Sequence, residues 1–178
     1  NPKGEVELTL NAAFPIQPTV DKKALSLAID ATISNGSFQN LPYGMTVENA
    51  DVVANFANNV IEISGNAVIA GVSGDFSFRS DGANNNVSFL GRAVPSTTMA
   101  HMLADITGFD VGGQVGGSVT ISGDMALTDV SVNLAAQMRS ASVNVPEISW
   151  AKLPSENGHA HLTFLLRNGR VDSLQDVN

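Results

Sequence analysis

Hydrophobic and polar residues alternate with a period of two along most of the chain. Near the start, Val6, Leu8 and Leu10 are separated by Glu7 and Thr9. Successive side chains of a strand point to opposite faces, so this pattern predicts strands with one apolar and one polar face. It recurs in residues 25–33, 60–63, 67–70, 76–78, 87–89, 119–121, 130–134 and 162–166. The chain is therefore predicted to be mainly β.

Short segments rich in Asn, Asp, Ser and Gly separate these apolar stretches. They are residues 35–36, 64–66, 81–82, 84–86, 122–124, 157–158 and 168–169. Asn, Asp and Gly accept the positive φ angles of tight hairpin turns. Strands joined by short turns in this way indicate an antiparallel meander.

One stretch, residues 96–109, departs from the alternation. Its apolar residues at helical spacing are Met99, Met102, Leu103 and Ile106. Ser96, or one of the two threonines after it, can cap the start of a helix, and Gly108 can end it. We expect one short α-helix here, covering one end of the sheet.

A weak internal repeat suggests that the chain contains more than one unit. Leu41-Pro42 recurs as Leu153-Pro154, residues 58–62 resemble 168–172, and residues 4–10 resemble 117–121. The offset of roughly 110 residues predicts a first repeat unit at 1–92, a short helix and linker at 93–112, and a partial second unit at 113–178. Strand repeats joined end to end predict an elongated sheet, and we expect the chain to be a fragment of a longer protein.

Composition excludes several classes of function. The net charge is −8 and the pI near 4.6, so recognition of nucleic-acid phosphates is not expected. The chain has no Cys, which removes disulfides, thiolate metal sites and thiol catalysis. His159 and His161 would share one side of a strand, with Glu156 nearby, but solvent-facing strand residues explain them better than a metal site does. We expect no enzyme, cofactor or metal.

An apolar sheet face that one short helix cannot cover must be buried in another way or be used. The sheet either folds into a sandwich or curls into a trough with an apolar lining. A trough suits acyl chains, because each buried CH₂ contributes about 0.8 kcal/mol and no specific side chain is needed.

Several segments resemble modules of the bacterial AsmA-like proteins, particularly the YhdP and TamB branches. The resemblance lies in residues 31–38, 52–63, 65–78, 99–123 and 162–171, with a short helix followed by a Gly-led strand that opens a new unit. The family implies a repeating β-groove, which for this chain means an elongated, curled antiparallel β-meander with one short α-helix.

The resemblance also implies a function. It predicts a lipid-binding segment that contributes to phospholipid transport between inner and outer membranes and to outer-membrane homeostasis, in the periplasm, with the full-length protein anchored to the inner membrane. The expected partners are phospholipid acyl chains, adjacent repeats of the same chain, and membranes through the full-length protein.

The predicted lining of the groove is diffuse and contains no catalytic residue. It comprises Leu25, Leu27, Ile29, Ile61, Ile63, Phe76, Phe78, Val119, Ile121, Val130, Val132, Leu134, Leu162 and Phe164. A one-residue slip in register would exchange the two faces, and the alternative for each residue is a place in a sealed core. The alternative function, suggested by the acidic, Asn- and Ser-rich composition, is a surface or adhesin-type β-sandwich or β-solenoid binding module.

Overall fold

The computed structural model describes residues 3–13, 26–39, 46–168 and 170–177. Eleven strands in this part of the chain belong to one sheet. They are β1 (Lys3–Ala13), β2 (Ser26–Phe38), β3 (Val47–Ala57), β4 (Val60–Ile69), β5 (Val72–Asp81), β6 (Asn86–Ser96), β7 (Asp110–Asp124), β8 (Asp129–Val145), β9 (Trp150–Lys152), β10 (His159–Arg167) and β11 (Arg170–Val177). Helix α1 is Thr97–Thr107, and a 3₁₀ turn spans Pro146–Ile148.

The sheet is an antiparallel meander in which neighbours in sequence are neighbours in space. Its order is β1 to β8, then β10 and β11. β9 pairs with β8 at residues 143–145, beyond the segment 129–137 that pairs with β10. The predicted fold class is confirmed: the described chain is mainly antiparallel β, open at both edges, with one short α-helix. These strands do not form the two stacked sheets of a sandwich.

The hairpin turns follow the sequence prediction in some places and not in others. At residues 81–86 the predicted turn is present, and Asp81 accepts hydrogen bonds from the backbone N–H groups of Ala83 and Asn84. At residues 64–66 the predicted turn is wrong, because β4 runs straight through it. Gly65 lies where two backbones approach closely, since a Cβ there would stand 2.1 Å from the carbonyl oxygen of Asp51.

Helix α1 begins and ends where its capping residues predict. The Ser96 hydroxyl accepts from the N–H of Met99 at 3.2 Å, and Gly108 adopts φ +73° while its N–H donates to the carbonyl oxygen of Ala104. The helix packs on β7, with Ala100 only 1% exposed. It covers one end of the sheet, as the sequence predicts.

Nine of the buried residues form two small clusters near this end of the sheet. One joins α1 to β7 and β8, and the other lies on β3 and β4. The first comprises Ala100, Val111, Val115, Ala141, Val143 and Val145, and the second Ala50, Val52 and Ala67. All nine side chains are Ala or Val. The described part of the chain therefore has two small hydrophobic clusters instead of one large core.

The predicted division into repeat units stays a prediction. α1 lies within the linker predicted at 93–112, but the sheet continues across that region because β6 pairs with β7 from Asn86 to Ala93. The alternation of residues did not predict β3, β9 or β11 as separate strands.

Candidate functional site: the apolar face of the sheet

The strand registers place the apolar residues of nine strands on one side of the sheet. Directly paired residues of antiparallel strands point to the same side, so faces can be followed from pair to pair. Three rows of paired residues, running from β1 to β10 without β9, define what we call the apolar face.

The first row is Val6, Ile33, Val52, Gly65, Phe76, Gly91, Val119, Leu134 and Leu162. The second is Leu8, Ala31, Ala54, Ile63, Phe78, Phe89, Ile121, Val132 and Phe164. The third is Leu10, Ile29, Phe56, Ile61, Ser80, Val87, Gly123, Val130 and Leu166. Ser80 is the one polar side chain in these rows, and none is charged.

The structure brings together the predicted lining residues within the described chain. Twelve of the fourteen are members of these three rows, and Leu27 lies on the same side two residues before Ile29. Leu25 lies outside the described residues. The faces predicted strand by strand therefore match one another across the sheet.

Burial on the apolar face varies from strand to strand. Val130 and Val132 are 8% and 7% exposed, although no second sheet of described strands lies over them. Side chains on the neighbouring strands of the same face screen these two residues. Ile61 and Leu134 are more open, at 39% and 37%. The face is therefore accessible over part of its area.

A cavity of about 300 Å³ lies at the end of the apolar face away from α1. Phe78, Phe89 and Ile121 line it, together with Met125 and Leu127 from the turn between β7 and β8. Sequence analysis missed the last two, and the signal that could have revealed them is the presence of two large apolar residues in a turn. Both are about half exposed.

Hydrogen bonds that Thr128 donates to the carboxylate of Asp124 hold this turn in place. The carboxylate accepts from the N–H of Thr128 at 2.7 Å and from its hydroxyl, and Leu127 adopts φ +54°. Positive φ is strained for a residue as large as Leu. The hydrogen bonds from Thr128 lower the pKa of Asp124 below its usual 3.8.

The opposite side, the polar face, carries charged groups in pairs. Across neighbouring strands, Arg79 pairs with Glu62 and Arg92 pairs with Asp75. Its two central rows consist of Glu7, Thr32, Val53, Ser64, Ser77, Leu90, Thr120, Asn133 and Thr163, and of Thr9, Asp30, Asn55, Glu62, Arg79, Ser88, Ser122, Ser131 and Leu165.

A second cavity, of about 400 Å³, lies near the turn between β10 and β11. Both polar and apolar residues line this cavity. The guanidinium of Arg167 lies 3.1 Å from the carboxylate of Asp129 and 3.7 Å from the carboxylate of Asp172. These two carboxylates raise the pKa of Arg167 above its usual value. One cation therefore faces two carboxylates in the lining of this cavity.

His159 and His161 both lie on β10. His161 is paired with Ala135 and His159 with Gln137, both on the side of the polar face. Within the described ranges, no group of three or more His, Asp or Glu side chains is arranged to hold a metal ion. Nor does the described chain contain a helix long and apolar enough to cross a membrane.

Comparison with known proteins returned no match to any family model, curated protein or solved structure. The resemblance to AsmA-like proteins therefore stays a prediction, and the apolar face is the feature on which a function can be argued.

Proposed function

We propose that the chain is a lipid-binding β-groove segment of an AsmA-like protein and that its apolar face holds phospholipid acyl chains. The observation that carries the proposal is the set of three rows across nine strands without a charged side chain. Charged groups on a binding surface would lose hydration against a hydrocarbon chain, at a cost of several kcal/mol. A surface free of them suits acyl chains.

The dimensions of the face support the same ligand. Strands lie about 4.8 Å apart, so eight intervals from β1 to β10 span roughly 38 Å. Each methylene that leaves water for this face contributes about 0.8 kcal/mol, so binding grows with chain length without a specific contact.

The wider setting is part of the proposal. The segment contributes to phospholipid transport between inner and outer membranes and to outer-membrane homeostasis, in the periplasm, as part of a longer protein anchored to the inner membrane. Adjacent repeats of the same chain extend the groove. The family resemblance, together with the confirmed open antiparallel meander, supports this setting.

Lipid binding is tested by purifying the protein without detergent and measuring bound phospholipid by mass spectrometry. Uptake of a fluorescent phospholipid gives a second readout. Ile61→Glu places a carboxylate on the accessible part of the apolar face, where Ile61 is 39% exposed. Val53→Glu is the matched control, because Val53 is 56% exposed on the polar face.

We expect the wild type and Val53→Glu to bind phospholipid and Ile61→Glu to bind at least tenfold less. Circular dichroism of both variants checks that the sheet is retained. A wild-type protein that is free of lipid and takes up none of the fluorescent probe would reject the proposal. Equal loss in both variants would show that the apolar face is not the binding surface.

A further inference from the structure

Ser80 interrupts the apolar face at its end away from α1. Its partners in the third row are Ile61 on β4 and Val87 on β6. Only 6% of Ser80 is exposed, and among the described residues Lys152 is the one other buried polar or charged residue. Burial of a hydroxyl without a hydrogen bond is unfavourable, so this position calls for a physical reason.

The two buried polar residues differ in their hydrogen bonds. The ammonium group of Lys152 donates to the carbonyl oxygens of Ala141 and Leu153, at 2.8 and 3.0 Å. The hydroxyl of Ser80 makes no hydrogen bond with any other described residue. Every side-chain oxygen that is sealed from solvent in this part of the chain has a partner. The hydroxyl of Ser80 is therefore not sealed, and the space beside it is the cavity of about 300 Å³ that it lines.

The lining of this cavity leaves the hydroxyl almost alone among apolar groups. The one other lining residue with a polar side chain is Ser88, which belongs to the polar face. A buried water molecule is held by about two to four polar partners, and the apolar face offers it one. A ligand suits the cavity better than water does if one of its oxygens accepts from Ser80 and its hydrocarbon part packs on Phe78 and Phe89.

The charges around the cavity exclude an anionic acceptor. Asp81 follows Ser80 in the chain, and Asp124 lies in the turn whose apolar residues line the cavity. Arg79 lies on the polar face, where it pairs with Glu62. A carboxylate or phosphate in the cavity would lose its hydration without a cation to compensate. The acceptor for Ser80 is therefore a neutral oxygen.

We propose that Ser80 donates a hydrogen bond to an ester carbonyl oxygen of a bound phospholipid. This inference rests on the proposed function and adds one specific contact to it. The ester carbonyl is the neutral acceptor that directly adjoins the acyl chain, so the chain lies on the apolar face while the phosphate stays in water. Ser80 then distinguishes ester-linked lipids from ether-linked lipids, because an ether has no carbonyl oxygen.

The first test compares ester and ether lipids as competitors of the fluorescent phospholipid. The pair is a short-chain phosphatidylcholine and its ether-linked analogue with the same chains. We expect the wild type to bind the ester roughly threefold to tenfold more tightly, which is the range of one net hydrogen bond. Ser80→Ala should lose this preference and bind the ether as the wild type does. Ser77→Ala is the matched control, because Ser77 is an exposed serine on the polar face of the same strand.

The second test asks whether the acceptor is neutral. Decanoate and methyl decanoate have the same chain, and only the first is ionised at neutral pH. We expect the methyl ester to displace the fluorescent phospholipid at least tenfold more effectively, and Ser80→Ala to weaken the methyl ester alone. Equal displacement by the two compounds overturns the assignment of a neutral acceptor.

The third test is the stability of the lipid-free protein. Ser80→Ala removes a buried hydroxyl that has no partner in the described chain, so its melting temperature should be no lower than that of the wild type. A clear decrease shows that the hydroxyl is bonded inside the protein and overturns the proposal. Circular dichroism of Ser80→Ala and Ser77→Ala follows the melts.

The outcomes separate this contact from the proposed function. A wild type that takes up the fluorescent phospholipid but binds ester and ether lipids alike contradicts the role of Ser80 alone. An ester preference that Ser80→Ala retains, or that Ser77→Ala also loses, does the same. A wild type that takes up no phospholipid rejects the proposed function and this contact with it.

Discussion

At the scale of the residue, the acid sensitivity of the protein depends on carboxylates that hold turns. Asp124 and Asp81 accept hydrogen bonds from Thr128 and from Asn84, and these bonds lower the pKa of both carboxyls below 3.8. A lowered pKa in the folded state stabilises the protein above the unfolded value. That stability is lost as the pH falls through the folded value.

We therefore expect the melting temperature of the wild type to fall as the pH is lowered below 3.8. Asp124→Asn keeps an acceptor but cannot ionise, so its melting temperature should change less over the same range. Combining it with Asp81→Asn should flatten the profile further. Thermal melts followed by circular dichroism measure both effects. A double variant with the full acid sensitivity of the wild type would contradict this assignment.

At the scale of the element, one hydroxyl fixes the start of α1. Ser96 accepts the N–H of Met99, and the helix buries Ala100 against β7. Ser96→Ala should lower the free energy of unfolding by about 1 kcal/mol, the usual contribution of an N-cap. Urea denaturation measures it.

Ser96→Asp is the control for this cap, because its carboxylate keeps the acceptor and should retain most of the stability. If Ser96→Ala and Ser96→Asp lose the same amount, the hydrogen bond to Met99 is not the source of the stability.

Capping residues and alternating patterns predicted the elements that depend on residues close together in the sequence. Ser96 and Gly108 bound α1, and the alternation of residues fixed the apolar face of each predicted strand. Gly65 misled the prediction, because its role is a close approach to Asp51 in the neighbouring strand, and residues so far apart in sequence leave no local pattern.

The residues of the apolar face could be predicted from the sequence, but the cavity at its end could not. The alternation identified which residues share a face, and the registers placed Ile63, Phe78 and Val132 in one row. The cavity near Met125 and Leu127 could not be predicted, because it depends on how the turn after β7 lies over β5 and β6.

At the scale of the whole molecule, the protein exposes more surface than its size predicts. Its accessible surface is 11943 Å². A compact monomer of 18.5 kDa would expose roughly 8,200 Å². The single sheet contributes to this excess, because no second sheet of described strands covers its apolar face.

The open apolar face predicts a smaller change in surface on unfolding than in a compact protein. The urea m-value scales with that area and should lie below the value for a compact protein of 178 residues. The heat-capacity change should likewise lie below the roughly 2.1–2.7 kcal/mol/K of a compact protein of this length. Urea titration and calorimetry measure both. Values equal to those of a compact protein would mean that the apolar face is closed in solution.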